Sequence, residues 1–292
     1  MNAIEIQNLT KYYGKSRGIV DLSLSVPEGE FFGFIGPNGA GKSTTIRTLL
    51  GLIRADSGKA MVFGKDITRE KEAILADIGY MPSEAVFYTG MKVREIIRMS
   101  AKLHGQDCQA EAQSLCDRLC LDVNKKVEEL SLGNRKKVAV VCALQHKPKL
   151  CILDEPTSGL DPLMQREFFA ILEERNREGA TIFLSSHVLS EIQRHCGRAA
   201  IICSGSVAAC DTVDTLSHTS ARKITLHGTQ SVPQLSGIRE VQTEGDAVTF
   251  LYQGEIRELL KSLVVLPFTD ISITEPELDE IFLNLYKKGE EK

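Results

Sequence analysis

Three short runs of uninterrupted apolar residues stand out along the chain, at 31–35, 150–153 and 181–184. Each is continuous rather than alternating and is followed by small or polar residues, the pattern of a strand buried on both faces of a parallel sheet. Helical periodicity separates them. Residues 43–50 read as a helix that stops at Gly51, and 162–177 place Phe168, Phe169, Ile171 and Leu172 inward before ending near Gly179. From about 91 to 146 the chain is rich in Glu, Lys, Arg, Leu and Ala and reads as mostly helix. The pattern predicts an α/β sheet with a helical block inserted between its strands.

After about residue 215 the character changes. Short strand-like segments at 223–227, 238–241 and 247–252 alternate with turn signals at Gly228, Gly245 and Gly254. A helix is expected over 255–263, a strand over 268–273, and a last helix over 276–286, opened by Thr274 as N-cap candidate and Pro276 near its first turn. The expected division is therefore a core at 1–217, with its helical subdomain at about 85–147, and a small α+β domain at 218–292.

Composition narrows the function. The 292 residues hold 35 Lys and Arg against 39 Asp and Glu, a formal charge of −4. With no excess of cations to displace counterions from phosphates, a protein that mainly coats nucleic acid is excluded. Hydrophobic residues at 42% with charged residues at 25% exclude a disordered or fibrous chain. The apolar runs at 138–144 and 263–266 fall far short of the roughly 18 residues a membrane span needs. The opening MNAIEIQNLTKYYGK lacks the apolar core of a signal peptide, so the chain is expected to stay where it is made. Eight cysteines, none in a C-x-x-C pair, read as free thiols of a reducing compartment. Cys116 and Cys120 are expected to share a helical face.

The candidate chemistry begins at the loop after the first apolar run. Gly36, Pro37, Asn38, Gly39, Ala40, Gly41, Lys42 and Ser43 match G-x-x-x-x-G-K-[ST], with a strand before and a helix after, and Thr44 follows. Glycines let backbone N–H groups turn inward around a triphosphate, and the helix presents its positive end to the same anion. Lys42 can reach the β- and γ-phosphates, and the Ser43 hydroxyl is placed for Mg2+. The second run delivers Asp154 and Glu155 to its carboxyl edge, where ligand sites of open α/β sheets form. Alternation along a strand separates their roles: Asp154 toward Mg2+, Glu155 toward an attacking water. His187, just past the third run, falls on the same edge and could order that water.

Together these motifs resemble the nucleotide-binding subunit of an ABC transporter over roughly residues 1–215. GPNGAGKST at 36–44 matches Walker A, and CILDEP at 151–156 matches the end of Walker B. Ser158, Gly159, Leu160 and Asp161 match the D-loop, and His187 the switch histidine. LSLGN at 130–134 stands where the family has LSGGQ, with Ser131, Gly133 and Asn134 supplying a hydroxyl, backbone N–H groups and a side-chain amide. Tyr13, beside Tyr12, resembles the aromatic residue that stacks on adenine. The tail at 273–286, ITEPELDEIFLNLY, resembles the carboxyl-terminal extension of ATPases serving bacterial ABC-2-type exporters for drugs, antibiotics or bacteriocins.

The resemblance implies a P-loop NTPase (RecA-like) α/β core with a mixed sheet, an inserted α-helical subdomain and a small α+β C-terminal domain. It also implies ATP and Mg2+ as ligands and a second ATPase subunit, identical or closely related. Each ATP would lie between Walker A of one subunit and the signature of the other. Separate transmembrane permease subunits would hold the pair at the cytoplasmic face of the cell membrane. Two departures stand out. Leu132 replaces the first signature glycine, with Asn134 in place of glutamine, and is expected to tune the site. In the Q-loop, serine occupies the glutamine position, so either Ser83 or Glu84 takes over the contact to Mg2+ and water. Arg135, Lys136 and Lys137 read as a solvated face at a helix start rather than a nucleic-acid contact. Two rival readings are a soluble ABC-type ATPase acting on nucleic acid or ribosomes, and a non-hydrolysing regulatory subunit. The first is disfavoured by the absence of a second ATPase half or a long coiled-coil insertion.

Overall fold

A computed structural model describes residues 1–217 and 221–274, so the helix expected at 276–286 lies outside the described residues. The chain divides into two compact units, Met1–Val213 and Asp214–Lys292.

The first unit opens with a feature absent from the sequence reading. β1 (Asn2–Tyr13) and β2 (Ser16–Pro27) pair antiparallel, followed by β3 (Phe31–Ile35) and α1 (Lys42–Leu49). β4 (Ser57–Val62) and β5 (Lys65–Asp66) then complete a four-stranded sheet of order β2-β1-β4-β5. The signal was available: Leu22, Leu24 and Val26 are buried and alternate with exposed Asp21, Ser23 and Ser25, a period of two. In β1 the alternation is broken by register shifts between Ile6 and Leu9, which hide it.

After α2 (Lys71–Leu75) and β6 (Ile78–Met81) comes the helical block. It consists of α3 (Val93–Leu103), α4 (Gln109–Arg118), a 3-10 turn at Val127–Glu129, and α5 (Leu132–Leu144). The chain returns as β7 (Leu150–Asp154), α6 (Pro162–Arg177), β8 (Thr181–Ser186), α7 (Leu189–His195), β9 (Arg198–Cys203) and β10 (Ser206–Thr212). Six strands form a mixed sheet of order β10-β9-β3-β8-β7-β6, parallel throughout except for β10. The three uninterrupted apolar runs are its centre, β3, β8 and β7, and every residue in these strands is buried. Phe183 stacks on Phe32 and meets Phe34 at 5.2 Å between ring centroids, locking β8 to β3. One apolar cluster runs from Ile4, Leu22 and Val62 of the antiparallel sheet through Ile46 and Leu49 of α1 to Phe34 and Ile152. α1 is thus clamped between two sheets.

Cys116 and Cys120 do not share a helical face. α4 ends at Arg118, and Cys120 takes a left-handed φ of 50° while Leu121 N–H closes back onto the Cys116 carbonyl at 2.9 Å. Burial of Leu119 and Leu121 on either side leaves Cys120 exposed, whereas Cys116 is buried, its thiol pushed up to about 11 by burial and the Asp117 charge.

α8 (Val213–Ser217) begins at the last residue of the first unit, and the second unit continues with β11 (Ala221–His227), β12 (Ile238–Glu244), β13 (Ala247–Gln253), α9 (Ile256–Leu263) and β14 (Asp270–Thr274). The strands form an antiparallel sheet of order β12-β13-β11-β14. Ile224, Leu226, Val248, Phe250 and Tyr252 bury one sheet face against Leu259 and Leu263 of α9. The last strand starts two residues later than expected because Phe268 packs against this core, and pairing with β11 begins only at Asp270.

Candidate functional site

Parallel pairing brings the carboxyl ends of β3, β7 and β8 to one edge. Ile35 lies opposite Ser186, and Asp154 opposite Ser185, so the segments leaving these strands emerge side by side. From β3 the chain turns through 36–41 into α1. Gly41, the N-cap, has φ of 111°, and a Cβ there would sit 2.8 Å from the Gly18 carbonyl oxygen. Only glycine suits that position. It brings no side chain to cap α1, which leaves the first turn and its positive dipole end to an anion.

The loop residues Pro37, Asn38, Gly39, Gly41, Lys42, Ser43 and Thr44 wall a cavity of about 250 Å3, closed by Tyr13, Arg17 and Gly18 on one side and Glu155 on another. Tyr13 is in that wall and its neighbour Tyr12 is not. Ala40 is buried, and Gly36 contributes its carbonyl. Lys42, 5% exposed, donates from Nζ to the carbonyl oxygens of Gly36 at 2.6 Å and Pro37 at 3.1 Å. The same ammonium lies 3.2 Å from Glu155 Oε1.

Glu155 is the first residue beyond β7 and adopts a left-handed φ of 47°. Its N–H still donates to the Ser185 carbonyl at 3.1 Å, while the turn swings its side chain to Lys42 and to His187, whose Nδ1 is 3.3 Å from the same Oε1. Burial pushes the Glu155 carboxyl up, but the Lys42 ammonium and the His187 ring outweigh it and hold the group below the usual carboxylate range. It is therefore ionised at neutral pH.

Asp154 is fully buried. Its Oδ1 accepts a 2.6 Å hydrogen bond from Ser185 Oγ, while Oδ2 has no hydrogen-bond partner among the described residues. A buried carboxylate oxygen without a donor is costly and calls for a cation or ordered water. The Ser43 hydroxyl stands in the cavity wall, and it and the Asp154 carboxylate are each the hard oxygen type of donor that Mg2+ takes.

Not every candidate converges here. Ser83 is half-buried and Glu84 exposed, on the loop that leaves β6 at the same sheet edge. Among the described residues neither has a hydrogen bond or ion pair to Lys42, Asp154 or Glu155. Ser131, Gly133 and Asn134 lie outside the cavity. Ser131 N-caps α5, its Oγ accepting from Asn134 N–H at 3.3 Å, and it is exposed. Ser158 and Gly159 are exposed, Leu160 is buried, and Asp161 N-caps α6 by accepting from Leu163 and Met164 N–H. A Cβ on Gly133 would approach the Gly159 carbonyl oxygen to 2.8 Å, so the start of α5 is packed directly on the 158–161 turn.

The reading of Arg135, Lys136 and Lys137 as a solvated face is corrected at its middle residue. Lys136 is 1% exposed, and its Nζ donates to the Glu155 carbonyl oxygen at 2.7 Å. Burial lowers its pKa, against the opposing pull of the Glu155 and Asp154 carboxylates. Helical phase does not reveal this, because Val138, Ala139, Val140 and Val141 bury α5 all round. Ser185 also escaped the sequence reading, since only the strand register places its hydroxyl on Asp154.

Comparison with known proteins identifies the family and the fold. A family model described as ABC transporter matches residues 19–158. The chain is 32% identical to the bacitracin transport ATP-binding protein BcrA of Bacillus licheniformis, over 98% of each. It is 29% identical to the linearmycin resistance ATP-binding protein LnrL of Bacillus subtilis (strain 168), over 97% of each. A solved structure described as the ATP binding subunit of an ABC transporter superposes with a TM-score of 0.69 at 31% identity, covering 73% of this chain and 91% of that one.

Proposed function

The chain belongs to the ABC transporter family of ATP-binding subunits, and from that membership we propose that it drives a membrane exporter by hydrolysing ATP held between two ATPase subunits. The observation that carries the reading is the meeting of Lys42, Glu155 and His187 within 3.2 and 3.3 Å at one sheet edge, beside the buried Asp154.

Each residue then has a part. The Lys42 ammonium and the uncapped start of α1 attract the phosphates, and Tyr13 offers its ring to the base. Glu155, ionised and aimed into the cavity, accepts the proton of the attacking water, and His187 orients that carboxylate and the γ-phosphate. Asp154 and Ser43 would hold Mg2+, which when bound would supply charge neutralisation for the phosphates. Ser131, exposed at the start of α5 and outside the lining of its own cavity, is available with Gly133 and Asn134 to the γ-phosphate bound by a partner subunit. The nucleotide thereby joins the subunits, and loss of the γ-phosphate releases them.

Among the described residues no helix is long and apolar enough to cross a membrane. Separate permease subunits supply the pathway and hold this one at the cytoplasmic face. Export is favoured because the similarity to proteins named for bacitracin transport and linearmycin resistance extends over nearly the whole chain.

The test is Glu155→Gln. ATP binding is expected to persist while turnover falls about 100- to 10,000-fold, the range for losing a positioned general base. Light scattering with ATP and Mg2+ should then show a trapped dimer. Turnover at the unmutated rate in the presence of the permease overturns the assignment of the base, and a variant that stays monomeric with saturating ATP overturns the shared-nucleotide reading.

A further inference from the structure

Lysine is almost never fully buried unless it is paired, yet Lys136 ranks among the largest fully buried side chains of the protein. Its partner is a backbone oxygen, not a carboxylate: the Glu155 carbonyl at 2.7 Å. That carbonyl has a particular need. Regular β7–β8 pairing ends at Asp154 opposite Ser185, and the left-handed φ of 47° at Glu155 turns its peptide out of the ladder. Such a conformation is uncommon for a residue other than glycine and persists only where its surroundings hold it. Glu155 N–H is fixed to the Ser185 carbonyl, and its C=O is fixed by Lys136. The two bonds clamp the residue on both sides, and its carboxylate leaves the clamp toward Lys42 and His187.

The clamp also has a position in the chain. Lys136 is little more than one turn into α5, the helix whose N-cap is Ser131. Gly133 of the same turn packs on the Gly159 carbonyl. The start of α5 therefore grips the 155–159 segment at two points, Lys136 at Glu155 and Gly133 at Gly159.

We infer that Lys136 is a positioning residue for hydrolysis: by holding the Glu155 peptide in its left-handed turn, it aims the carboxylate and ties this chain's own base to the helix that bears Ser131. The inference rests on the reading of Glu155 as the base. Lys136 does not line the phosphate-loop cavity. It acts through Glu155, so its loss should slow the chemical step and spare ATP binding.

The experiment uses the full chain, with Lys136→Met (similar length, no donor), Lys136→Arg (donor and charge kept), Lys136→Gln and Glu155→Gln. Turnover and direct binding of a fluorescent ATP analogue are measured for each, with thermal melting as the check on folding. For K136M, kcat should fall about 10- to 100-fold, as for a reacting group displaced on the 1 Å scale. Affinity for the analogue should stay within about threefold, the split that marks an interaction serving the transition state. K136R should recover most of the lost kcat. Turnover of folded K136M within about threefold of the unmodified chain overturns the inference, as does a loss of binding that accounts for the loss of turnover. Equal impairment of K136M and K136R also overturns it. If K136M does not fold, K136Q decides on the same two measurements, and failure of both to fold overturns it by making the lysine a core element. Full activity of Glu155→Gln would instead defeat the reading of the base. Full activity of K136M beside an inactive Glu155→Gln defeats only the role given to Lys136.

Discussion

Removing the Ser185 hydroxyl tests whether its hydrogen bond holds the buried Asp154 side chain at the end of β7. In the structure both residues are fully buried, Ser185 Oγ donates to Asp154 Oδ1 at 2.6 Å, and Oδ2 has no partner among the described residues. Ser185→Ala deletes the one hydrogen bond that this carboxylate receives among the described residues. A hydrogen bond to a charged group contributes about 1.5–3 kcal/mol, and removing one buried partner exposes the full desolvation cost of the other. For a cooperative unit of this size, about 1 kcal/mol shifts Tm by roughly 2–4 °C. The Met1–Val213 transition followed by calorimetry should therefore fall by about 3–12 °C. Asp154→Asn provides the cycle: if the hydroxyl serves the charge, the double variant should lose less than the sum of the two single losses. A Ser185→Ala midpoint within about 1 °C of the unmodified chain would refute the reasoning, because the hydroxyl would then contribute nothing to holding the buried Asp154 side chain.

Three further outcomes are expected. Gly133→Ala drives a Cβ to 2.8 Å from the Gly159 carbonyl oxygen, overpacking that should cost about 1–3 kcal/mol and lower ATP turnover, while binding of a fluorescent ATP analogue survives because the P-loop is untouched. His146 is buried against the His104 ring, and burial, with the neighbouring ring second, brings its pKa from 6.5 to about 4. The unfolded chain therefore binds more protons below pH 6.5, and the stability owed to the neutral ring is complete above that pH and lost as pH falls toward 4. Urea titrations should show a decline of about 2–3 kcal/mol across that window, which His146→Gln flattens. A chain ending at Ser217 should keep its affinity for the ATP analogue within about threefold, since every residue of the cavity lies before that point; an insoluble or ATP-blind product would refute the proposed boundary.

Whatever depends only on the order and type of residues is determined by the sequence of this protein. Uninterrupted apolar runs identified β3, β7 and β8 because a strand buried on both faces has no polar side to reveal, and the glycine-lysine-serine spacing identified the phosphate loop because its chemistry is local. Asp154, Glu155 and His187 could be placed on one edge, since parallel strands must all end there. The antiparallel sheet was less legible, because the β1 bulges interrupt its alternation. The structure alone decided which atoms meet across elements far apart in sequence. Strand register set Ser185 on Asp154, the left-handed turn at Glu155 aimed its carboxylate at Lys42 and His187, and the packing of α5 buried Lys136 on the Glu155 carbonyl. Contacts of that kind depend on distances between separate strands and helices, which a helix buried all round and a run of three cations do not encode in their periodicity.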